Sequence, residues 1–391
     1  MSIYKKIVLK KGKEHSLLRL HPWVFSGAIG QLDTGIENGD MVEVYAANGD
    51  FLGLGFYQKG SISVRIISFE KEVIDKNFWK RKIGQAYQLR KSLFLKKTQP
   101  LDVYRLFHAE GDGVSGLILD VYGQMIVIQS HNEGVNHQKE VIAEAISEIS
   151  GLENFSIYLK SGESSANKSE KVMKGNMDDL LQVNEYGHYF KVDIVNGQKT
   201  GFFIDQRENR QILKDFVQGK NVLNAFSYTG GFSVYALSGG ANLVHSVDSS
   251  ESANKLCEEN IRLNKLDEKK HKVITADVMN FIKNIDNQYD IIILDPPAFA
   301  KHQSSRHQAA MGYKRLNTEA FCRIRKNGFL FTFSCSQAVD RELFENTIRA
   351  AAIESRRKIK VLAHLGQPAD HPVSIYHPEG EYLKGLICFV E

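Results

Sequence analysis

Residues 222–248 read VLNAFSYTGGFSVYALSGGANLVHSVD. An apolar run of strand length, Val222–Phe226, stops at the pair Gly230-Gly231. A helical stretch follows, and a second apolar run from Leu243 stops at Asp248. Strand, glycine loop, helix, strand is the repeating unit of a parallel sheet, and the pattern continues downstream. After a helix from Glu251 come KVITAD (272–277), a short helix, YDIIILD (289–295), a helix before Gly328, and FLFTFS (329–334). A helical QRENRQILKDFV (206–217) precedes the first strand. From about Gly187 onward the chain therefore reads as an α/β domain with a mostly parallel sheet.

Ligands of such sheets bind beyond the carboxyl ends of the strands, so the residues there are the first candidates. Gly230 and Gly231 let backbone approach a ligand at a helix N-terminus. Asp248 lies 18 residues beyond Gly230, where a carboxylate can accept from both hydroxyls of a ribose. Asp277 is placed either to meet an adenine edge or to cap the next helix. Asp295 is followed by Pro296 and Pro297, which stiffen the loop and remove two amide donors beside a carboxylate. SYTGG is not GxGxxG, so a pyrophosphate is disfavoured, and a nucleoside without phosphates, such as S-adenosylmethionine (SAM), fits better. Cys335 ends the strand after the Asp-Pro-Pro loop and should lie near Asp295. It is either a small core residue, sharing parity with Phe329, Phe331 and Phe333, or a reachable thiol between Ser334 and Ser336.

Upstream, residues 1–69 are a series of short strands (IYKKIVL, WVFSGAI, MVEVYAA, FLGLGFY, SISVRII) with Asn48-Gly49-Asp50 as a turn, which suggests a small β-barrel or sandwich. A helix is expected over about 75–97 and another over 137–149. Strands are expected around 104–108, 117–121, 125–129, 155–159 and 181–194, giving an α+β middle region. The polar stretch SGESSANKSEKVMKGNMDD (161–179) reads as a mobile loop with no chemistry assigned.

The 391 residues are enough for two or three domains, and 42% hydrophobic content is that of a globular chain. No apolar stretch is long enough to span a bilayer, and the start lacks a signal-peptide pattern. Four scattered cysteines, Cys257, Cys322, Cys335 and Cys388, suit a reducing cytoplasm rather than a disulfide or zinc framework. His364, His371 and His377 do not match a zinc spacing, so no metal is expected. The net charge is only +4, yet residues 301–326 carry seven basic groups against one acid. That segment, with Lys301, Arg306, Lys314 and Arg315, is either a phosphate-binding rim or a solvated helix face.

Beyond these local readings, HPWVFSGAI from His21, GLGFYQKGSISVRII from Gly53, FHAEGDGVSGLILDVYG from Phe107, TGFFIDQRENR from Thr200, NAFSYTGGFSVYA from Asn224, LDPPAFAK from Leu294, TFSCS from Thr332, DHPV from Asp370 and PEGEYLKG from Pro378 resemble the ribosomal large subunit methyltransferase I family nearly end to end. The resemblance implies a PUA RNA-binding domain (1–72), a central strand-strand-helix-strand-strand domain (73–188) and a Rossmann-like SAM methyltransferase domain (189–391). It also implies methylation of C5 of a cytosine in 23S ribosomal RNA, free or in a large-subunit precursor, in the cytoplasm, with a homodimer left open. By the same resemblance Cys335 falls on the nucleophile and Asp295 on the carboxylate beside the reacting base. The implied cofactor cradle is Gln206, Arg210, Phe226, Ser227, Tyr228, Gly230, Asp248, Ser249, Asp277 and Asp295. Ala298 stands where some RNA cytosine-5 methyltransferases carry a second cysteine. Phe299 or Tyr313 would fill the gap left by an unstacked base. Two rival readings are a methyltransferase of an exocyclic base amine, with Cys335 structural, and a non-catalytic RNA-binding assembly protein.

Overall fold

The computed structural model describes residues 4–95, 100–161, 171–176, 180–300 and 303–391. Its contacts group the chain into two compact units. Met1–Val183, Val192–Phe202 and Ala369–Gly380 form the first; Asn184–Lys191, Phe203–Pro368 and Glu381–Glu391 form the second. Residues 192–202 and 369–380, expected with the C-terminal domain, are thus grouped with the first unit.

In the first unit a six-stranded sheet has the order Trp23–Phe25, Ile62–Ser68, Phe51–Tyr57, Met41–Tyr45, Lys5–Leu9, Ile29–Leu32. Only the Lys5–Leu9 and Met41–Tyr45 pair is parallel. Its core is Ile7, Val42, Val44, Val64 and Ile66, the period-2 positions of these strands. A second, five-stranded sheet runs Lys171–Lys174, Ser156–Ser161, Met125–Ser130, Leu117–Tyr122, Val103–His108. The helices Lys76–Arg90 and Lys139–Ser147 share its core through Trp79, Ile83, Ile142 and Ile146. This sheet has one strand more than the expected motif.

Two expectations are corrected here. Within the stretch read as a loop, Lys171–Lys174 is an edge strand antiparallel to Ser156–Ser161; its sequence KVMK carries too much charge to show a strand period, while 162–170 and 177–179 lie outside the described residues. The first long helix is α-helical only to Arg90 and widens to a π-helix over Lys91–Leu95, while 96–99 lie outside the described residues.

Buried ion pairs fasten 192–202 and 369–380 into this unit. Arg90 forks onto Asp112 at 2.6 and 2.7 Å and donates to the Asp370 carbonyl at 2.8 Å. Arg105 forks onto Asp120 at 2.8 and 3.0 Å, and Asp120 also accepts from Thr200 at 2.7 Å. The Asp370 carboxylate takes the Arg105 amide at 2.9 Å. With their lone pairs so occupied these charges tolerate burial, whereas removing one partner would strand the other.

The second unit is built on a seven-stranded sheet ordered His271–Thr275, Leu243–Asp248, Asn221–Ala225, Ile291–Leu294, Gly328–Ser334, Lys384–Val390, Ile359–Gly366. The first five strands are parallel, and Lys384–Val390 is antiparallel to both neighbours. Strand order reverses between Asn221–Ala225 and Ile291–Leu294, which places the ligand crevice beyond Ala225 and Leu294. The helix Arg306–Arg323 buries Ala309, Tyr313, Leu316 and Ala320, spaced three and four apart, against this sheet's core.

Candidate active site

At the switch point the backbone is already committed. Phe226 and Tyr228 sit at φ 61° and 46°, and Gly230 at φ 81°, so the chain turns sharply before the helix Gly231–Ser238. A Cβ on Gly230 would run into the Cys257 thiol, so the loop and the helix Glu251–Leu263 pack too closely for a side chain. The Tyr228 ring stands edge-on to Phe203 with centroids 5.1 Å apart.

Asp248 braces this loop. Its Oδ2 accepts the Tyr228 amide and its Oδ1 the Ser250 amide, each at 2.9 Å. Each oxygen keeps a lone pair, so the carboxylate can still accept from a diol. Ser249 is exposed beside it. The Ser227 hydroxyl is buried with no hydrogen-bond partner among the described residues, a state a bound polar ligand would relieve. These donors and acceptors fit a nucleoside carrying an amino-acid tail. Asp277 is exposed and caps the helix Val278–Lys283, its Oδ1 accepting the Asn280 amide at 2.8 Å. Of the two roles weighed for it, the cap is the one visible in the geometry.

At the end of the next strand, Asp295 Oδ1 accepts from Gln206 Nε2 at 2.9 Å, and Gln206 Oε1 in turn accepts from Asn209 at 2.6 Å. Gln206, expected at the cofactor, thus orients the Asp295 carboxylate. Arg210 forks onto Glu185 at 2.8 and 2.7 Å and donates to the Phe203 carbonyl at 3.0 Å; it holds the approach to the loop together.

Strands Ile291–Leu294 and Gly328–Ser334 lie side by side with Leu294 opposite Thr332, which brings both strand ends to one place. Cys335 is half-buried, its Sγ 3.9 Å from the Pro296 carbonyl. It is therefore not a core cysteine, in contrast to Cys257 and Cys388, whose thiols burial pushes up to about 12. Ser336 is wholly buried and its hydroxyl donates to the Ala300 carbonyl at 2.7 Å, tying the cysteine's turn to the Asp-Pro-Pro loop. Phe299 is half-buried and packs on Tyr313 with centroids 4.6 Å apart. Tyr313 is fully buried, so of the two aromatics only Phe299 is free to face a base.

The basic segment changes character in three dimensions. Arg306 pairs with Asp340, Lys314 with Glu354 at 2.5 Å, and Arg325 with Asp290 at 3.2 Å. Acids distant in sequence so neutralise much of the local excess, leaving Arg315 and Lys326 as exposed cations; Lys301 lies outside the described residues. In the first unit His21, His377 and Glu379 offer atoms within 4.8 Å of one another. His21 Nδ1, however, accepts the Trp23 amide at 3.2 Å, so its proton sits on Nε2, 3.5 Å from Glu379. That is a hydrogen-bonded arrangement, because a ligating nitrogen must be unprotonated.

Sequence reasoning missed Lys384. It lies opposite Ser334 on the neighbouring strand and is 1% exposed, with Nζ 2.7 Å from both the Ser336 and Tyr382 carbonyls. The stretch PEGEYLKG contained it, but nothing local marks a buried lysine.

Comparison with known proteins identifies the family. Residues 7–69 match the PUA-like domain family and residues 162–372 the S-adenosylmethionine-dependent methyltransferase family. The chain is 38% identical to ribosomal RNA large subunit methyltransferase I of Aeromonas salmonicida, over 99% of both chains, and 39% identical to that of Aliivibrio fischeri, over 98% and 99%. Among solved structures, a Streptococcus mutans chain assigned as a SAM-dependent methyltransferase superposes with TM-score 0.86 at 25% identity, covering 98% of this chain and 100% of that one. SMU.776, assigned as a methyltransferase and solved in complex with SAH, gives 0.87 at 26% with the same coverage. No helix among the described residues is long and apolar enough to cross a membrane. The cofactor is S-adenosylmethionine, and the chain belongs to the ribosomal RNA large subunit methyltransferase I family.

Proposed function

We propose that this protein methylates C5 of a cytosine in 23S ribosomal RNA through a transient bond between Cys335 and C6 of the base. Membership of the family supports the RNA class, and the PUA-like domain supports a separate grip on RNA by the N-terminal region, about 1–72. The observation that carries the chemistry is the half-buried Cys335 thiol, 3.9 Å from the Pro296 carbonyl at the strand end next to Asp295. In this reading residues 189–391 perform the transfer.

C5 of cytosine is a weak nucleophile. A Cys335 thiolate adding to C6 shifts the C5–C6 π pair so that C5 becomes an enamine carbon. Asp295, held by Gln206, accepts a hydrogen bond from N3 as that nitrogen takes up a proton from solvent, which stabilises the adduct and is given back to solvent when the adduct collapses. When bound, S-adenosylmethionine supplies the methyl electrophile. Loss of the C5 proton to a base then returns an electron pair to the C5–C6 bond and expels Cys335 as thiolate. Half-buried Phe299 fills the stack vacated by the base.

RNA containing 5-fluorocytosine tests this, because fluorine cannot leave C5 as a cation and the adduct persists. With SAM present, wild-type protein should form a denaturant-resistant protein–RNA species that Cys335→Ala does not form, and nucleoside mass spectrometry of ordinary substrate should show 5-methylcytidine. A methylated exocyclic amine with no trapped species would instead make Cys335 structural and Asp295 the group that aligns an amine.

A further inference from the structure

We propose that Lys384 is the positioning residue for Cys335: its ammonium fixes the turn that carries the thiol and supplies the positive charge that favours the thiolate. The inference rests on the reading of Cys335 as nucleophile and extends it by naming what activates it.

Three features converge on Lys384. The first is place. It opens the antiparallel strand Lys384–Val390, opposite Ser334, the last residue of the strand before Cys335. The second is commitment. Its Nζ, on a side chain 1% exposed, donates to the Ser336 and Tyr382 carbonyls, each at 2.7 Å. The Ser336 carbonyl follows the thiol by one residue, and the Ser336 hydroxyl is fixed to the Ala300 carbonyl. Cys335 is thus held between a turn pinned on one side by Lys384 and on the other by the Asp-Pro-Pro loop. The third is chemistry. Two of the three Nζ positions face carbonyls, and the third can exchange a proton with a neighbouring acid. Burial lowers the Lys384 ammonium to about 8, with the Cys335 charge acting the opposite way. An ammonium beside a thiol favours the thiolate, and such a pair can hold one proton in two ways: Sγ–H with neutral amine, or thiolate with ammonium.

The other groups that act on Lys384 or on Tyr313 beside Cys335 are neutral, of the opposite sign or already paired. Tyr313, which feels both Cys335 and Asp295, is pushed up by burial and stays neutral. Asp295 carries the wrong sign to favour a thiolate. On the Lys384 side, Glu381 and Arg341 pair with each other and Asp340 pairs with Arg306.

The test is alkylation of Cys335 by iodoacetamide in the full chain, without SAM or RNA, followed on the Cys335 peptide by mass spectrometry from pH 6 to 10. Wild-type Cys335 should reach half its limiting rate at least one pH unit below Lys384→Gln, with a rate at pH 7 about tenfold higher. Glutamine keeps a donor for the carbonyls and loses the charge. Lys384→Arg, which keeps the charge, should recover most of the rate. Melting curves establish that each variant is folded, and Lys384→Met provides a second uncharged variant should the glutamine chain unfold. Superimposable profiles for wild type and a folded uncharged variant would overturn the proposal. Because labelling needs no methyl transfer, a shifted profile together with a failed 5-fluorocytosine trap would refute the covalent mechanism and leave the Lys384–Cys335 pair standing. An unshifted profile with a successful trap would do the reverse.

Discussion

Replacing Asp248 with alanine tests two jobs of one carboxylate, the loop brace seen in the structure and the ribose contact we propose for it. Its two oxygens each accept one backbone amide at 2.9 Å, from Tyr228 and Ser250. Tyr228 is held at φ 46°, a conformation a non-glycine residue adopts only under constraint. Losing both acceptors in a half-buried setting, where water replaces part of the interaction, should cost about 1 kcal/mol each and lower unfolding stability by roughly 2 kcal/mol. The cofactor loses a charged acceptor for its ribose, worth about 1.5 to 3 kcal/mol, which corresponds to a Kd roughly tenfold to 150-fold weaker. Asp248→Asn should fall between, since the amide retains one acceptor oxygen and presents its NH2 to the second backbone donor. Isothermal calorimetry with SAM and with SAH measures the affinity, and chemical denaturation without ligand measures the brace. A folded Asp248→Ala protein that binds SAH within twofold of wild type would refute the ribose assignment, whatever its stability.

Two more outcomes follow from charges the fold has displaced or neutralised. Burial, with a smaller contribution from His245, lowers the His271 imidazole to about 4, and its Nε2 lies 2.8 Å from the Ser246 hydroxyl. The unfolded chain therefore binds the proton that the folded chain refuses: stability is full above about pH 6.5 and falls by ~1.4 kcal/mol per pH unit as pH drops towards 4. Urea titrations across that range should show a shallower fall for His271→Gln, and equal slopes would refute the assignment. For RNA binding, Arg315→Ala should reduce the slope of log affinity against log salt by about 0.7 to 0.9. Arg306→Ala and Lys314→Ala should reduce it less, because Asp340 and Glu354 already compensate those charges; equal effects from all three would restore a continuous basic rim.

How far the sequence carries depends on whether the decisive interaction is local. Alternation of strands and helices is local, and so is a carboxylate at a strand end, which is why Asp248, Asp295 and Cys335 were legible before any coordinates and why strand adjacency then placed the last two together. Interactions that bind distant segments leave no local trace. Residues 369–380 look like a continuation of the C-terminal domain until Arg90 and Arg105 are seen to hold Asp370. The basic run 301–326 looks like a phosphate site until Asp290, Asp340 and Glu354 arrive from other elements. That the Gln206 amide also donates to Asp295, 89 residues later, shows only in three dimensions. Lys384 is the sharpest case. In sequence it is one charge within PEGEYLKG, with nothing local to mark it as buried. Only the antiparallel pairing with Gly328–Ser334 buries it beneath the cysteine's turn. A parallel sheet that ends in one reversed strand thus does more than close its edge: it delivers a cation from the far end of the chain to a thiol that the preceding strand could not activate alone.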